Sequence, residues 1–432
     1  MNEWILRSSG PLRGSIRPAS DKSLTHRAFL FAGFADGPCF VRGALRSEDT
    51  QSSLDAVRSL GLDAVEEDAA GVRLVPSAEW RSPGEAIDCG NSGTTMRLLA
   101  GAIAGMPVSA TLTGDASLSR RPMKRVAEPL RLMGADIHGD FAPITVRGGD
   151  LKGIEYHLPM ASAQVKSAIL LAGLHAEGPT VAIEPAASRD HTERFLKGLG
   201  ARITEEFHLD GRHSVTLQPT ERLAAYDFTV PADISSAAFW MVAATLVADS
   251  EVRLEGVNVN RTRSGILDVF AQCGVNVRLE NERFENYEPV ADLIISATPN
   301  LKPFEISGDL VPRLIDEIPV LAVLATQCDG TTIIRDAREL RVKETDRIAT
   351  VAMYLRAMGV GVETFDDGMA ITGPRALTGD TIDAAGDHRL AMAFAVASMI
   401  AEGETKILNA HSVATSYPDF DKHRRTLQGG SN

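Results

Sequence analysis

The sequence predicts an α/β protein assembled from six copies of one unit, gathered into two domains of three βαβαββ units each. Three observations carry that expectation. Six apolar helix candidates recur at nearly constant spacing, a short β-type run follows each of them, and a second, amphipathic helix then ends at a glycine. Two bodies of three units bury such faces better than an open solenoid.

The helix candidates are SDKSLTHRAFLFAGFADG from Ser20, NSGTTMRLLAGAIAG from Asn91, SAQVKSAILLAGLHAEG from Ser162, ADISSAAFWMVAATLVADS from Ala232, LIDEIPVLAVLATQCDG from Leu314 and GDHRLAMAFAVASMIAEG from Gly386. Each opens with a small polar or acidic residue suited to cap the orphan amides of a helix start. With Asp21, Ser92, Ser162, Asp233, Asp316 and Asp387 as markers, the intervals are 71, 70, 71, 83 and 71 residues. The strand candidates are CFVRG, ATLTG, TVAIE, EVRLE, TTIIR and TKILN, beginning at residues 39, 110, 180, 251, 331 and 405. Gly61, Gly134, Gly200, Gly274, Gly359 and Gly429 stand where the second helices should end in a left-handed cap. In the first five units that glycine leads into an alternating strand, as in GADIHG and GVNVRLE.

The sixth unit runs out of chain before such a strand, and the extended stretch WILRSSGPLRGSIRPAS near the N-terminus is expected to supply it. That closes the fold on itself. Residues 21–230 form one domain, and residues 1–20 with 231–432 form the other. The crossovers fall near 20 and 230, the second marked by the longer interval and by YDFTVPADISS.

Composition narrows the class. A chain of 432 residues, 44% hydrophobic and 23% charged, has the makeup of a globular protein rather than a disordered or fibrous one. A net charge of −13 offers no broad basic face, so nucleic acid is not an expected partner. The longest uncharged apolar run, Ala237 to Ala248, falls short of the roughly 20 residues that cross a bilayer. The N-terminal segment lacks a secretory apolar core, and a cytoplasmic protein away from membranes is expected. Cys39, Cys89, Cys273 and Cys328 form no C-x-x-C pair, which argues against zinc or a disulfide framework.

Cations gather where helices begin. Lys22 and Arg27, Arg97, Lys166, and His388 with Arg389 lie in or near helix starts, and the loops add SRRPMKR, SRDHTER, RTR and RELRVKETDR. A helix start already carries partial positive charge, so added cations are unfavourable without an anion nearby. Any one of them has a bland reading as a solvated surface group, but the recurrence points to anionic small molecules. There is no P-loop, dinucleotide fingerprint, H-E-x-x-H or G-x-S-x-G. NSGTT either lets the backbone meet an anion at Gly93 or is a plain turn and cap. Asp316, in LIDEIPVL, is either an N-cap or a reacting carboxylate; Glu344, in RVKETDR, is either a surface ion pair or part of acid/base chemistry.

Taken in order, DKSLTHR, GNSGTTMR, RRPM, SAQVKSA, LIDEIPVLA, RVKETDR and DHRLAMA resemble the 5-enolpyruvylshikimate-3-phosphate synthase family over nearly the whole chain. The resemblance implies two domains whose helix starts face a cleft that closes on substrate. It implies transfer of the enolpyruvyl group of phosphoenolpyruvate to the 5-hydroxyl of shikimate 3-phosphate, in the shikimate pathway to chorismate and the aromatic amino acids. Lys22, Ser23, Arg27, Ser162, Gln164, Ser188, Asp316 and Lys343 would then hold shikimate 3-phosphate. Lys22, Gly93, Arg121, Gln164, Arg347 and Arg389 would hold phosphoenolpyruvate. Asp316, Glu344 and Lys22 would be catalytic, with Asp316 taking the 5-hydroxyl proton and either Lys22 or Glu344 protonating C3. No metal or organic cofactor is implied, the two substrates are the only partners, and a monomer is expected.

Departures from the enteric and plant pattern resemble the family's second bacterial class. Ala163 stands where many relatives have a second serine, Glu339 replaces an Asn, Thr415 replaces a Lys, and His191 replaces a Tyr, leaving Arg189 or His191 beside the shikimate ring. The resemblance also implies a glyphosate target. Gly93 keeps the phosphoenolpyruvate site roomy, while Ser92, Thr95 and Leu98 depart from the sensitive pattern. The related UDP-N-acetylglucosamine enolpyruvyl transferases have Lys-Asn where this chain has Lys22-Ser23, and usually a cysteine within the loop matching 113 to 123, where this chain has none. A non-catalytic phospholigand scaffold would account for six units but not for Asp316 and Glu344.

Overall fold

A computed structural model describes residues 3–68 and 70–429; residues 1–2 and 430–432, the outermost ends of the second expected domain, and Ala69 lie outside the described residues. The third unit shows the repeated order. Helix Ala163–Gly173 leads to strand Thr180–Glu184, which pairs parallel with Glu155–His157 and antiparallel with His213–Leu217, and Ile203–Phe207 completes the hairpin. Among the described residues five four-stranded sheets follow this pattern and a three-stranded sheet gives a shortened version of it.

Chain ends and crossovers complete individual sheets. Asp227–Thr229 pairs parallel with Cys39–Arg42, and Arg13–Ile16 pairs parallel with Glu251–Asn258. The first strand, Glu3–Arg7, lies antiparallel on Glu404–Leu408 and so contributes the strand the sixth unit lacks. By contact density the chain divides into two compact units. One comprises Ser20–Val230 with Glu285–Glu288, and the other Met1–Ala19, Pro231–Phe284 and Pro289–Asn432.

Each unit is built on three apolar helices. In the first, Lys22–Leu30, Gly93–Ala104 and Ala163–Gly173 enter the core. Two of them touch through backbone, since a Cβ on Gly101 would lie 2.2 Å from the Ala168 carbonyl oxygen and one on Gly105 2.9 Å from that of Ala172. In the second, Ile234–Leu246, Ile318–Ala325 and His388–Ser398 fill the core. Ile234–Leu246 is buried on all sides up to its last residue, as its largely apolar sequence requires. Its Trp240 stacks on Phe420 at 4.6 Å and donates to the Tyr417 hydroxyl at 2.8 Å.

Four markers act as side-chain caps: Asp21, Ser92, Asp233 and Asp387 accept from the amides of Leu24, Thr95, Ser235 and Arg389. Ser162 occupies the cap position of its helix without a capping bond. Asp316 does not cap at all. Its helix begins at Ile318 with Pro319 in the first turn, which places Glu317 at the cap position and Asp316 one residue outside. Of the six glycines, Gly134, Gly200, Gly274, Gly359 and Gly429 are left-handed, with φ from 78° to 110°. Gly61 instead closes helix Glu48–Gly61 in ordinary backbone, and a Cβ there would sit 2.6 Å from the Trp80 indole nitrogen. Close approach of a ring, not a turn, accounts for that glycine.

Candidate active site

Within Ser20–Val230, Lys22 is the first residue of its helix, and its Nζ donates to Asp49 Oδ2 at 2.8 Å. One turn on, Arg27 is buried and held on three sides. Nε donates to the Thr192 hydroxyl at 2.7 Å, Nη1 to the Ser23 carbonyl at 2.9 Å and Nη2 to the Ser167 hydroxyl at 3.0 Å. Burial brings its guanidinium down to about 10, against the pull of Glu193 and Asp21.

Gly93 opens the second apolar helix, where a Cβ would meet Arg97 Nη1 at 2.8 Å and Arg121 Nη1 at 3.6 Å. Arg97 Nη1 donates to Gln164 Oε1 at 2.5 Å, while Gln164 Nε2 donates to the Thr94 hydroxyl at 2.9 Å. Arg121 Nη2 donates to Asn91 Oδ1 at 2.8 Å and to the Ser117 hydroxyl at 3.2 Å. Gly93, Arg121 and Gln164, far apart in sequence, thus gather around Arg97. Ser162 and Ser188 meet through one carboxylate, Glu184, which accepts from the Ser162 amide and the Ser188 hydroxyl.

The other unit carries a tighter array. Asp316 has Arg347 at 3.6 Å, Arg263 and Lys343 at 3.9 Å and Arg389 at 4.0 Å. Arg389 Nη1 also donates to the Asp316 carbonyl at 3.1 Å. Arg347 donates from Nη2 to Glu344 at 2.6 Å and from Nε to Asp387 at 2.8 Å. Its Nη1 is buried, makes no hydrogen bond among the described residues and lies on the Asp316 side. Burial works against the Arg347 charge, but Asp387 and Glu344 outweigh it and hold the guanidinium above its ordinary range. Lys343 is held below its usual value, chiefly by burial, with Arg347 alongside, although Asp316 pulls the other way.

Two expectations change. Lys166 does not await an external anion: it is fully buried and ion-paired with Glu184 at 2.7 Å and Glu193 at 2.6 Å. His191 is also fully buried, with its Nδ1 2.7 Å from Glu288 rather than on an open surface. Glu339 and Thr415 lie half-buried in 3-10 turns. Sequence reasoning did not single out Asp49, Glu184 or Arg263 as site residues; Arg263 sat in the noted RTR segment, but the other two carry no local signal. All four cysteines are buried thiols, and burial pushes Cys89 up to about 12. Among the described residues no three His, Cys, Asp or Glu side chains are grouped to hold a metal ion. No helix of the described residues is long and apolar enough to cross a membrane.

Repeated α/β units with guanidinium groups fixed at helix starts, and a carboxylate set among four cations, have the makeup of an enzyme that handles anionic small molecules. The comparisons make this particular. Residues 6–423 match the family described as EPSP synthase (3-phosphoshikimate 1-carboxyvinyltransferase). A 3-phosphoshikimate 1-carboxyvinyltransferase of Synechococcus sp. (strain RCC307) is 47% identical over 99% of this chain and 100% of that protein. One from Thermodesulfovibrio yellowstonii is 45% identical over 98% and 99%. The solved EPSP synthase of Acinetobacter baumannii superposes with a TM-score of 0.87 at 39% identity, covering 99% of this chain and 98% of that one. The enolpyruvyl transferase NikO of Streptomyces tendae, 19% identical with a TM-score of 0.78 over 99% and 97% of the two chains, shares the fold. The chain belongs to the EPSP synthase family.

Proposed function

We propose that Asp316 and the cations around it carry the chemistry of the family's reaction in this chain. The enolpyruvyl group of phosphoenolpyruvate passes to the 5-hydroxyl of shikimate 3-phosphate, and phosphate leaves. Asp316 takes the 5-hydroxyl proton as that oxygen bonds to C2, while Lys22 or Glu344 delivers a proton to C3. In the second step a proton leaves C3, the C2–C3 double bond re-forms and the C2–O bond to phosphate breaks. Lys343, Arg347 and Arg389 stabilise the charge on the departing group.

Lys22, Ser23, Arg27, Ser162, Gln164, Ser188 and Lys343 hold shikimate 3-phosphate. Lys22, Gly93, Arg121, Gln164, Arg347 and Arg389 hold phosphoenolpyruvate, where planar guanidinium groups bond carboxylate and phosphate in pairs. The chain works as a cytoplasmic monomer on these two small molecules. The observation that carries the reading is the ring of Arg263, Lys343, Arg347 and Arg389 within 4.0 Å of Asp316.

The test is phosphate release from phosphoenolpyruvate with shikimate 3-phosphate, run beside UDP-N-acetylglucosamine and a no-acceptor control, with product masses recorded. Release with shikimate 3-phosphate alone, and a product heavier by one carboxyvinyl group, is expected. Release with the nucleotide sugar alone would overturn the choice of acceptor, and no release with either would overturn the enzyme reading.

A further inference from the structure

Glu184 ends the strand Thr180–Glu184 and is fully buried, a costly place for a carboxylate unless it is completely satisfied. Four donors meet it. Oε1 accepts from the Ser162 amide at 3.0 Å and the Ser188 hydroxyl at 2.5 Å. Oε2 accepts from the Ser188 amide at 3.2 Å and Lys166 Nζ at 2.7 Å. His213, its register partner on the neighbouring strand, brings Nδ1 to 3.7 Å. Every close partner is a donor, so a protonated carboxyl would point its O–H at a donor, and the arrangement suits the ionised carboxylate. Burial opposes the charge, but Lys166, His213 and Ser188 together hold the group down to about 2.

The topology explains why these partners coincide. Glu155–His157 and Thr180–Glu184 are adjacent parallel strands. The chain leaving the first runs to Ser162 at the start of helix Ala163–Gly173, and the chain leaving the second runs through Ser188 to helix His191–Gly198. Loops at the carboxyl ends of adjacent parallel strands are where α/β proteins bind ligands. Glu184 ties one loop to the other.

We infer that Glu184 is a positioning residue for Ser162 and Ser188, fixing the spacing of the two loops and so setting the affinity for shikimate 3-phosphate without touching it. The inference rests on the reading that these two serines contact that substrate.

Glu184→Gln keeps the shape but turns an amide NH2 toward a donor at one of the two oxygens. The expected result is a KM for shikimate 3-phosphate raised about 10- to 100-fold, as for a lost charged hydrogen bond, and calorimetric binding weakened by the same factor. The KM for phosphoenolpyruvate and kcat should stay within about threefold. A merely structural role would lower the active fraction and kcat while leaving the ratio of the two KM values unmoved, and that outcome overturns the inference. Ser162→Ala and Ser188→Ala are measured alongside. If neither weakens shikimate 3-phosphate binding, the reading of the serines fails and takes the inference with it; if they do and Glu184→Gln does not, the inference alone fails. Should Glu184→Gln not fold, Glu184→Asp, which keeps the charge but not the reach, decides between the same outcomes.

Discussion

Arg347 and Asp387 meet edge to edge: Nε donates to Oδ2 at 2.8 Å and Nη2 to Oδ1 at 3.2 Å, with neither side chain more than 1% exposed. This pairing fixes the plane of the guanidinium, directing Nη1 to the Asp316 side and leaving Nη2 shared with Glu344. The same carboxylate caps the helix His388–Ser398 by accepting from the Arg389 amide. One residue therefore orients the Arg347 guanidinium and caps the helix that carries Arg389, two of the arginines proposed to hold phosphoenolpyruvate.

Asp387→Asn leaves Arg347 buried beside a neutral group, and losing one partner of a buried ion pair costs about 3–5 kcal/mol. A lower melting temperature is expected together with kcat/KM for phosphoenolpyruvate reduced about 100-fold per folded enzyme. Thermal denaturation and steady-state kinetics separate the two effects. Lost stability with unchanged kcat/KM would confine Asp387 to a structural part.

Asp316→Ala removes the proposed base while keeping the surrounding cations. Turnover should fall about 10²- to 10⁴-fold, with shikimate 3-phosphate binding retained within a few-fold by calorimetry. Turnover at the parent rate would take Asp316 out of the mechanism.

Gly101→Ala would place a methyl 2.2 Å from the Ala168 carbonyl oxygen, with backbone on both sides unable to yield. Chemical denaturation should report a loss of about 3 kcal/mol or more. Gly84, where an added Cβ meets nothing within 4 Å, provides the control, and its alanine variant should remain within about 0.5 kcal/mol. Equal stability of the two variants would mean that the helices separate at little cost.

His213 is raised from 6.5 to about 9: burial opposes its charge, but the carboxylates of Glu184 and Glu205, 3.7 and 3.3 Å from its ring nitrogens, more than compensate. A group with a raised folded-state value stabilises below its unfolded value and loses that contribution as pH climbs through the folded one. The melting temperature should therefore exceed that of His213→Gln most clearly near pH 6, with the gap closing between about pH 7 and 9.5. Parallel pH profiles for the two proteins would rule out this linkage.

Local features of the fold could be read from sequence because they are set by near neighbours. Asp21, Ser92, Asp233 and Asp387 bond amides two or three residues ahead, and five glycines stand where the chain must turn left-handed. Of the two readings open for Asp316, the cap fails because Pro319, three residues on, sets the helix start so that Glu317 takes the cap position. Gly61, expected as a left-handed helix cap, is instead required by the Trp80 ring, which lies outside its own helix. The site motifs were legible as motifs; their partners were not. Nothing local marks Asp49 as the acceptor for Lys22 or Glu184 as the link between Ser162 and Ser188.

The sequence by itself determined the six-unit rhythm, the starts of most helices and the gathering of cations around them, since each follows from hydrogen-bond and apolar patterns within a few residues. Only tertiary structure decided which charges are already answered inside the protein. Lys166 is neutralised by Glu184, 18 residues away, whereas Arg27 reaches Thr192 across 165 residues and Asp316 stands among four cations. The physical reason is that desolvation and hydrogen-bond satisfaction depend on neighbours in space, and a buried charge takes its meaning from partners that no local period encodes.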